Sequence, residues 1–227
     1  MGKIFVIDGT DGSGKQTQFD LLKEHLAKDG IDYKTVSFPN YDSPSSALVK
    51  MYLSGEFGEN AKEVSPYIAS TFFAVDRYAT FVKDLKEYYD NGGIILADRY
   101  TTANMVHQTG KIDDSVEREK FLNWLFDLEF NLFGLPVPNK VFFLNMPPEK
   151  VKELIKNREN KFTHSDKKDI HERDEKHLLD SYNAACSLVD KFNWNEIKCV
   201  RNNEIRTRED IHEEIYKIVK EEIQKIY

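Results

Sequence analysis

A lysine closing a glycine-rich run is the first group in this chain that could do chemistry. In Gly9-Thr10-Asp11-Gly12-Ser13-Gly14-Lys15-Gln16-Thr17 the lysine follows directly on a Gly-x4-Gly spacing, the pattern of a phosphate-binding loop. Glycine lets successive backbone N–H groups turn inward around an anion, at a helix start whose dipole already favours negative charge. Lys15 then reaches the β- and γ-phosphates of a nucleoside triphosphate, with Gly9 to Gly14, Gln16 and Thr17 as the rest of the cradle. The hydroxyl residue that usually follows the lysine and meets Mg2+ is Gln16 here, and Thr17 comes one position late. Metal ligation therefore falls on water and on carboxylates elsewhere. Asp11 adds negative charge to an anion-binding turn, which favours a metal or hydroxyl contact.

Further groups stand where strands end. Asp98 follows the apolar run Ile94 to Ala97, the place for a carboxylate that organises Mg2+ and its waters; a helix cap or a pair with Arg99 is the plainer reading. Arg99 can clamp a phosphate through its two-pronged guanidinium. Phe73 and Arg77 lie four apart and share a helix face, an aromatic plane beside a cation that suits a flat heterocycle with carbonyl oxygens. Periodicity alone prefers a partly buried Phe73 with Arg77 at the surface. The stretch from Arg158 to Asp174 holds Arg158, Lys161, Lys167, Lys168 and Arg173 among five acids. That is either a solvated loop or a mobile lid whose cations cover a transferring phosphate.

The elements that must position these groups alternate. Strands are expected at about 3–8, 33–38, 94–97, 141–144 and 197–200, each before a helical pattern. A long helix begins at Ser65-Pro66 and runs to about Tyr89, with Ile68, Phe72, Val75, Ala79 and Val82 as its core stripe. Alternation throughout the chain implies one α/β domain over residues 1–227, a parallel sheet covered by helices on both faces. Ligands in such sheets sit beyond the carboxyl ends of the strands, which gathers Asp8 to Thr17, Phe38 to Asp42, Asp98 to Tyr100 and Asn145 onward at one crevice.

Lysine and arginine total 32 against 39 aspartate and glutamate, a formal net charge of −7. That balance argues against duplex nucleic acid or an anionic membrane as partner. No apolar run is long enough to span a bilayer, and no signal-type apolar segment opens the chain. Cys186 and Cys199 show no metal-ligand spacing, which suits a reducing cytoplasm.

Taken in order, GTDGSGKQTQ, FPNY at 38–41, FFAVDR at 72–77, DRYTTAN at 98–104, the strand and PPE at 141–149, Arg158, and DIHERD at 169–174 resemble the thymidylate kinase family. The resemblance implies a three-layer P-loop kinase fold with a five-stranded parallel sheet and a lid at about 157–172, working as a homodimer. It implies transfer of the ATP γ-phosphoryl group to dTMP with Mg2+. Lys15, Asp98, Arg99 and Arg158 fall at catalytic positions. Pro39, Tyr41 and Arg99 fall where the acceptor phosphate is held, Phe73 where thymine stacks, Arg77 at its O4, and Asn104 at a base-reading amide. Asp11, Asp98, Asp169 and Glu172 match positions tied to Mg2+, ribose or lid closure. Gly12 in place of arginine resembles the bacterial subgroup, whose catalytic arginine comes from the lid. His107 stands where many members have tyrosine near the sugar. Two other readings share the loop: a deoxynucleoside kinase with Asp98 as base, and a non-catalytic nucleotide-binding switch.

Overall fold

The computed structural model describes residues 1–60, 62–159 and 175–225. Its centre is β1 (Lys3–Asp8), flanked on one side by β3 (Ile94–Asp98) and β2 (Lys34–Ser37) and on the other by β4 (Lys140–Asn145) and β5 (Asn195–Lys198). All four pairings are parallel. Register brings the strand ends level: Ile7 and Ser37 both lie opposite Asp98, and Asp8 lies opposite Phe143. The carboxyl ends of the strands therefore open along one edge, as the alternation requires.

Strand side chains alternate between two cores. Phe5 and Ile7 face α1 (Lys15–Lys28) and the last helix, meeting Phe19, Leu22, Leu26, Ile215 and Val219, whereas Ile4 and Val6 face Phe81, Leu85 and Tyr89. Leu22 and Leu26 are wholly buried, and each such side chain contributes roughly 1.5–3 kcal/mol of transfer free energy. The other helices are α2 (Ala47–Ser54), α3 (Pro66–Thr80), α4 (Lys86–Asp90), α5 (Thr101–Thr109), α6 (Ser115–Phe126), α7 (Pro148–Glu159), α8 (Glu175–Phe192) and α9 (Arg208–Gln224), the last helix.

The long helix runs to Asp90 as expected, but through a π-helical turn at Phe81–Leu85 that joins α3 to α4, and a second π turn at Asp127–Leu132 follows α6. Three expectations are corrected. The last sheet strand is Asn195–Lys198 rather than 197–200, and Val200–Arg201 with Glu204–Ile205 forms an antiparallel hairpin, β6 and β7. The stripe Ile68, Val75 and Val82 is 53%, 45% and 45% exposed, and Phe72 and Ala79 are only half-buried. The buried face of α3 is instead Ala69, Ser70, Ala74, Asp76, Arg77 and Thr80. Arg77 is thus interior, not at the surface. Periodicity locates an apolar face but is silent on what covers it, and here the buried side of the helix is largely polar.

One buried cation lies outside the crevice. Lys111, just past α5, donates to Tyr52 Oη at 2.7 Å, and its Nζ stands 5.0 Å from the Tyr52 ring centre. Burial pushes its ammonium down to about 7 from an ordinary 10.5. Between those values the unfolded chain binds the extra proton, so stability rises with pH across that window and is lowest below it. Thermal melts should show the wild type gaining Tm between about pH 7 and 10 relative to Lys111→Met, a gain worth at most a few kcal/mol. Parallel Tm curves for the two proteins would refute a neutral amine.

Candidate active site

The run after β1 folds as a tight loop over the start of α1. Gly14 caps the helix at φ +96, a conformation closed to most side chains, and no side chain caps the first N–H groups. A Cβ at Gly9 would stand 2.6 Å from Ser13 Oγ and 3.2 Å from Leu144 Cβ and O, so a side chain there would displace that hydroxyl and crowd Leu144. Ser13 Oγ is buried and makes no hydrogen bond. Lys15 Nζ donates to the Gly9 and Thr10 carbonyls at 2.8 and 2.9 Å and lies 3.5 Å from Asp11 Oδ1. Free helix N–H groups, a loose hydroxyl and an ammonium on one loop form an anion cradle. Gln16 turns away from it, donating to Asp20 at 2.9 Å.

Two hollows adjoin here. One is lined by Gly12, Gly14, Lys15, Gln16, Thr17, Ser37 and Asp98. The other is lined by Leu53, Phe73, Arg77, Tyr100, Ala103, Asn104, His107 and Gln108. Asp11, Phe38, Pro39, Tyr41 and Arg99 line both and so form the wall between them. Arg99 is brought to this wall by a backbone φ of +62, rare outside glycine, while its N–H donates to Ile7 O at 3.1 Å. Its guanidinium pairs with the Asp11 carboxylate. Burial acts to raise the Asp11 carboxyl, but Arg99 and Lys15 outweigh it and hold it well below the usual carboxylate range.

Asp98 takes a 3.2 Å hydrogen bond from Ser37 Oγ on one oxygen, while the other, Oδ1, is buried without a partner. Asp8 accepts from Gly9 N–H at 2.8 Å and from Thr102 Oγ1, tying the loop to the start of α5; burial raises its carboxyl. Burial, aided by the Arg99 charge, pushes the His107 imidazole down to about 3. It stands neutral, its ring 5.7 Å from that of His177.

In the second hollow Arg77 Nε and Nη2 grip Glu129 at 2.7 and 3.2 Å, with both side chains almost wholly buried. Glu129 Oε1 also accepts from Asn104 Nδ2 at 3.2 Å, whose other acceptor is Ser70 O at 3.1 Å. The Phe38 and Tyr100 rings flank the guanidinium, 5.2 and 5.5 Å from its carbon. Arg77 therefore has a fixed direction. Of the sequence candidates, every one from Gly9 to His107 lies on one or both hollows apart from Gly9, Thr10 and Ser13, which form the loop itself. Arg158 is reached by the α7 backbone, but its side chain, with Lys161, Asp169 and Glu172, lies outside the described residues.

The sequence has relatives. The chain is 30% identical to a probable thymidylate kinase of Thermococcus onnurineus, over 98% of this chain and 99% of that protein. It is 28% identical to a thymidylate kinase of Mycobacterium tuberculosis, over 68% of this chain and 71% of the other. The thymidylate kinase family model matches residues 7–215. The chain belongs to the thymidylate kinase family. As a thymidylate kinase it is an ATP-dependent nucleoside monophosphate kinase, and the twin hollows are in keeping with a reaction that moves a phosphoryl group between two nucleotides.

Three residues that line or support these hollows escape a reading of the sequence. Glu129 comes from the π-helical turn, far in sequence from the arginine it orients. Gln108 lines the hollow of Phe73 and Arg77, fully buried, and neither amide atom makes a hydrogen bond; its place one turn after Asn104 was the available signal. Asp76 accepts from Asn40 N–H at 2.8 Å and Ser45 Oγ at 2.6 Å, pinning the loop that carries Pro39 and Tyr41.

Proposed function

We propose that dTMP occupies the hollow of Phe73, Arg77 and Asn104, and that ATP lays its phosphates on the loop of Lys15. The observation that carries this reading is the shared wall. Arg99 touches both hollows, so an acceptor phosphate and a γ-phosphoryl group would meet beside one guanidinium. A phosphate monoester is already an anionic nucleophile, so no strong base is needed; alignment and charge neutralisation do the work. Lys15 and the loop amides hold the donor, Arg99 with Tyr41 and Pro39 holds the acceptor phosphate, and Phe73 stacks the base. Arg77 donates toward a base carbonyl, and the neutral His107 borders the sugar. Arg158 supplies lid charge. When the acceptor phosphate binds, Arg99 exchanges the Asp11 carboxylate for it, which frees Asp11 for the sugar or for metal-bound water.

The donor set fits Mg2+. The unpartnered Asp98 Oδ1 at a strand end, beside the loop, accepts from the waters of a hard cation, and Asp11 stands across the same hollow. Asp169 and Glu172 complete the candidate acids. Bound there, Mg2+ supplies positive charge to the β- and γ-phosphates. No described helix is long and apolar enough to cross a membrane, and both cysteines are free, in keeping with cytoplasmic work.

A coupled assay of ADP release across nucleoside monophosphates, with ATP and Mg2+, tests the reading. Rapid ADP formation with dTMP and none with thymidine is expected. Turnover of thymidine but not dTMP would transfer the assignment to a nucleoside kinase, and ADP from neither would leave only nucleotide binding.

The same reading includes a homodimer. Ile68, Val75 and Val82 recur every seven residues on the outer side of α3 and its π-helical turn, with Tyr78 beside them, all substantially exposed. A seven-residue apolar seam is what a second helix covers. Sedimentation should give a dimer for the wild type and a monomer for Val75→Glu. A wild-type monomer at micromolar concentration, or a dimeric Val75→Glu, would refute this face as the interface.

A further inference from the structure

Away from the crevice, α1 and α9 meet through two imidazoles. His25 Nδ1 stands 2.9 Å from His212 Nε2. Glu213, the next residue on α9, is exposed, and one ligand atom from each of the three residues lies within 4.8 Å of the other two. We propose that His25, His212 and Glu213 form a binding site for a divalent transition ion of the Zn2+ type, one that staples the first helix to the last.

The geometry suits the ion. Zn–N bonds of about 2.0–2.1 Å at tetrahedral angles place two ligating nitrogens roughly 3.3 Å apart, so the His25–His212 contact need open by only a few tenths of an ångström. In that contact one nitrogen carries a proton; ligation takes that imidazole in its other tautomer, with the proton on the far ring nitrogen. His25 is held in place by the Tyr216 ring, stacked 3.5 Å away at 9°, and the Tyr216 hydroxyl is itself bonded to Asp29. The exposed carboxylate gives an entry path and leaves the remaining coordination positions to water. Two imidazoles and one carboxylate favour Zn2+, Co2+ or Ni2+ over Mg2+, which prefers an all-oxygen shell.

The staple lies apart from the reaction. His25 follows Lys15 by ten residues, about 15 Å along α1, and the two helices it joins cover the same face of β1. Its effect is on stability rather than on phosphoryl transfer: an ion that binds only the folded chain raises Tm by linkage.

Calorimetric titration of the full chain with ZnCl2, in excess Mg2+ to occupy hard-cation sites, tests this, with Tm followed in parallel. The wild type should bind one saturable equivalent and gain Tm. His25→Asn and His212→Asn should lose that equivalent, and Glu213→Gln should weaken it about tenfold or more while releasing ADP from ATP and dTMP at the wild-type rate. Because Glu213 is exposed, its variant keeps the fold and decides the matter even if a histidine variant does not. Absence of saturable Zn2+ binding to the wild type, or equal affinity in wild type and Glu213→Gln, would overturn the site.

Discussion

Lys15→Ala is expected to lower kcat for dTMP phosphorylation by about 10³-fold or more while leaving the fold intact. The magnitude follows from what preorganised charge contributes when it is aimed at a transferring phosphoryl group in a dry site. The intact fold follows from the partners of this lysine. It bonds two carbonyls of its own loop and lies at the edge of Asp11, which keeps its pair with Arg99. Burial, reinforced by Arg99, lowers the Lys15 ammonium, so the folded chain gains little from the charge, and Tm should stay within about 4 °C of the wild type. A polyphosphate acts on this ammonium in the opposite sense, and the group is most firmly charged when substrate is present. Single-turnover ADP release, with circular dichroism melts alongside, checks both halves. A kcat within tenfold of the wild type would mean that the loop does not carry the donor phosphates.

That loop could be found in the sequence because its signal is local: nine residues set the backbone path, and their neighbours set the strand and helix around it. Asp98 and Arg99 were legible for a related reason. An apolar strand that stops at a charged pair places that pair at the carboxyl edge of a parallel sheet. The seam of α3 was legible as a pattern and misassigned as a core, since Ile68, Val75 and Val82 would read the same under either covering. The burial of Arg77 was not legible at all. An arginine enters an interior only against a carboxylate, and that carboxylate, Glu129, sits 52 residues away on a π-helical turn that no period announces. The hairpin of β6 and β7, two residues on each side, is too short to show alternation. The histidine pair of α1 and α9 was equally hidden, because a contact between residues 187 apart exists only in the fold.

The Arg77–Glu129 pair supports a prediction with two separable parts. Arg77→Ala should destabilise the protein by about 3–5 kcal/mol, because a carboxylate with essentially no exposure loses its counter-charge. For a chain of this size that corresponds to a fall in Tm of roughly 10 °C. The same variant should raise KM for dTMP by about 10- to 100-fold, the worth of one charge-assisted hydrogen bond to a base carbonyl, and should leave KM for ATP unchanged. Loss of stability alone could mimic loss of binding, so the double variant Arg77→Met/Glu129→Leu separates them. Apolar side chains of similar volume should restore most of the stability, since a buried ion pair contributes little over a packed hydrophobic replacement. Asn104 keeps its bond to Ser70 O in that background. The refolded double variant should still bind dTMP as poorly as Arg77→Ala. A double variant with recovered Tm and a wild-type KM for dTMP would show that the base is read elsewhere, and would reduce this pair to a structural role.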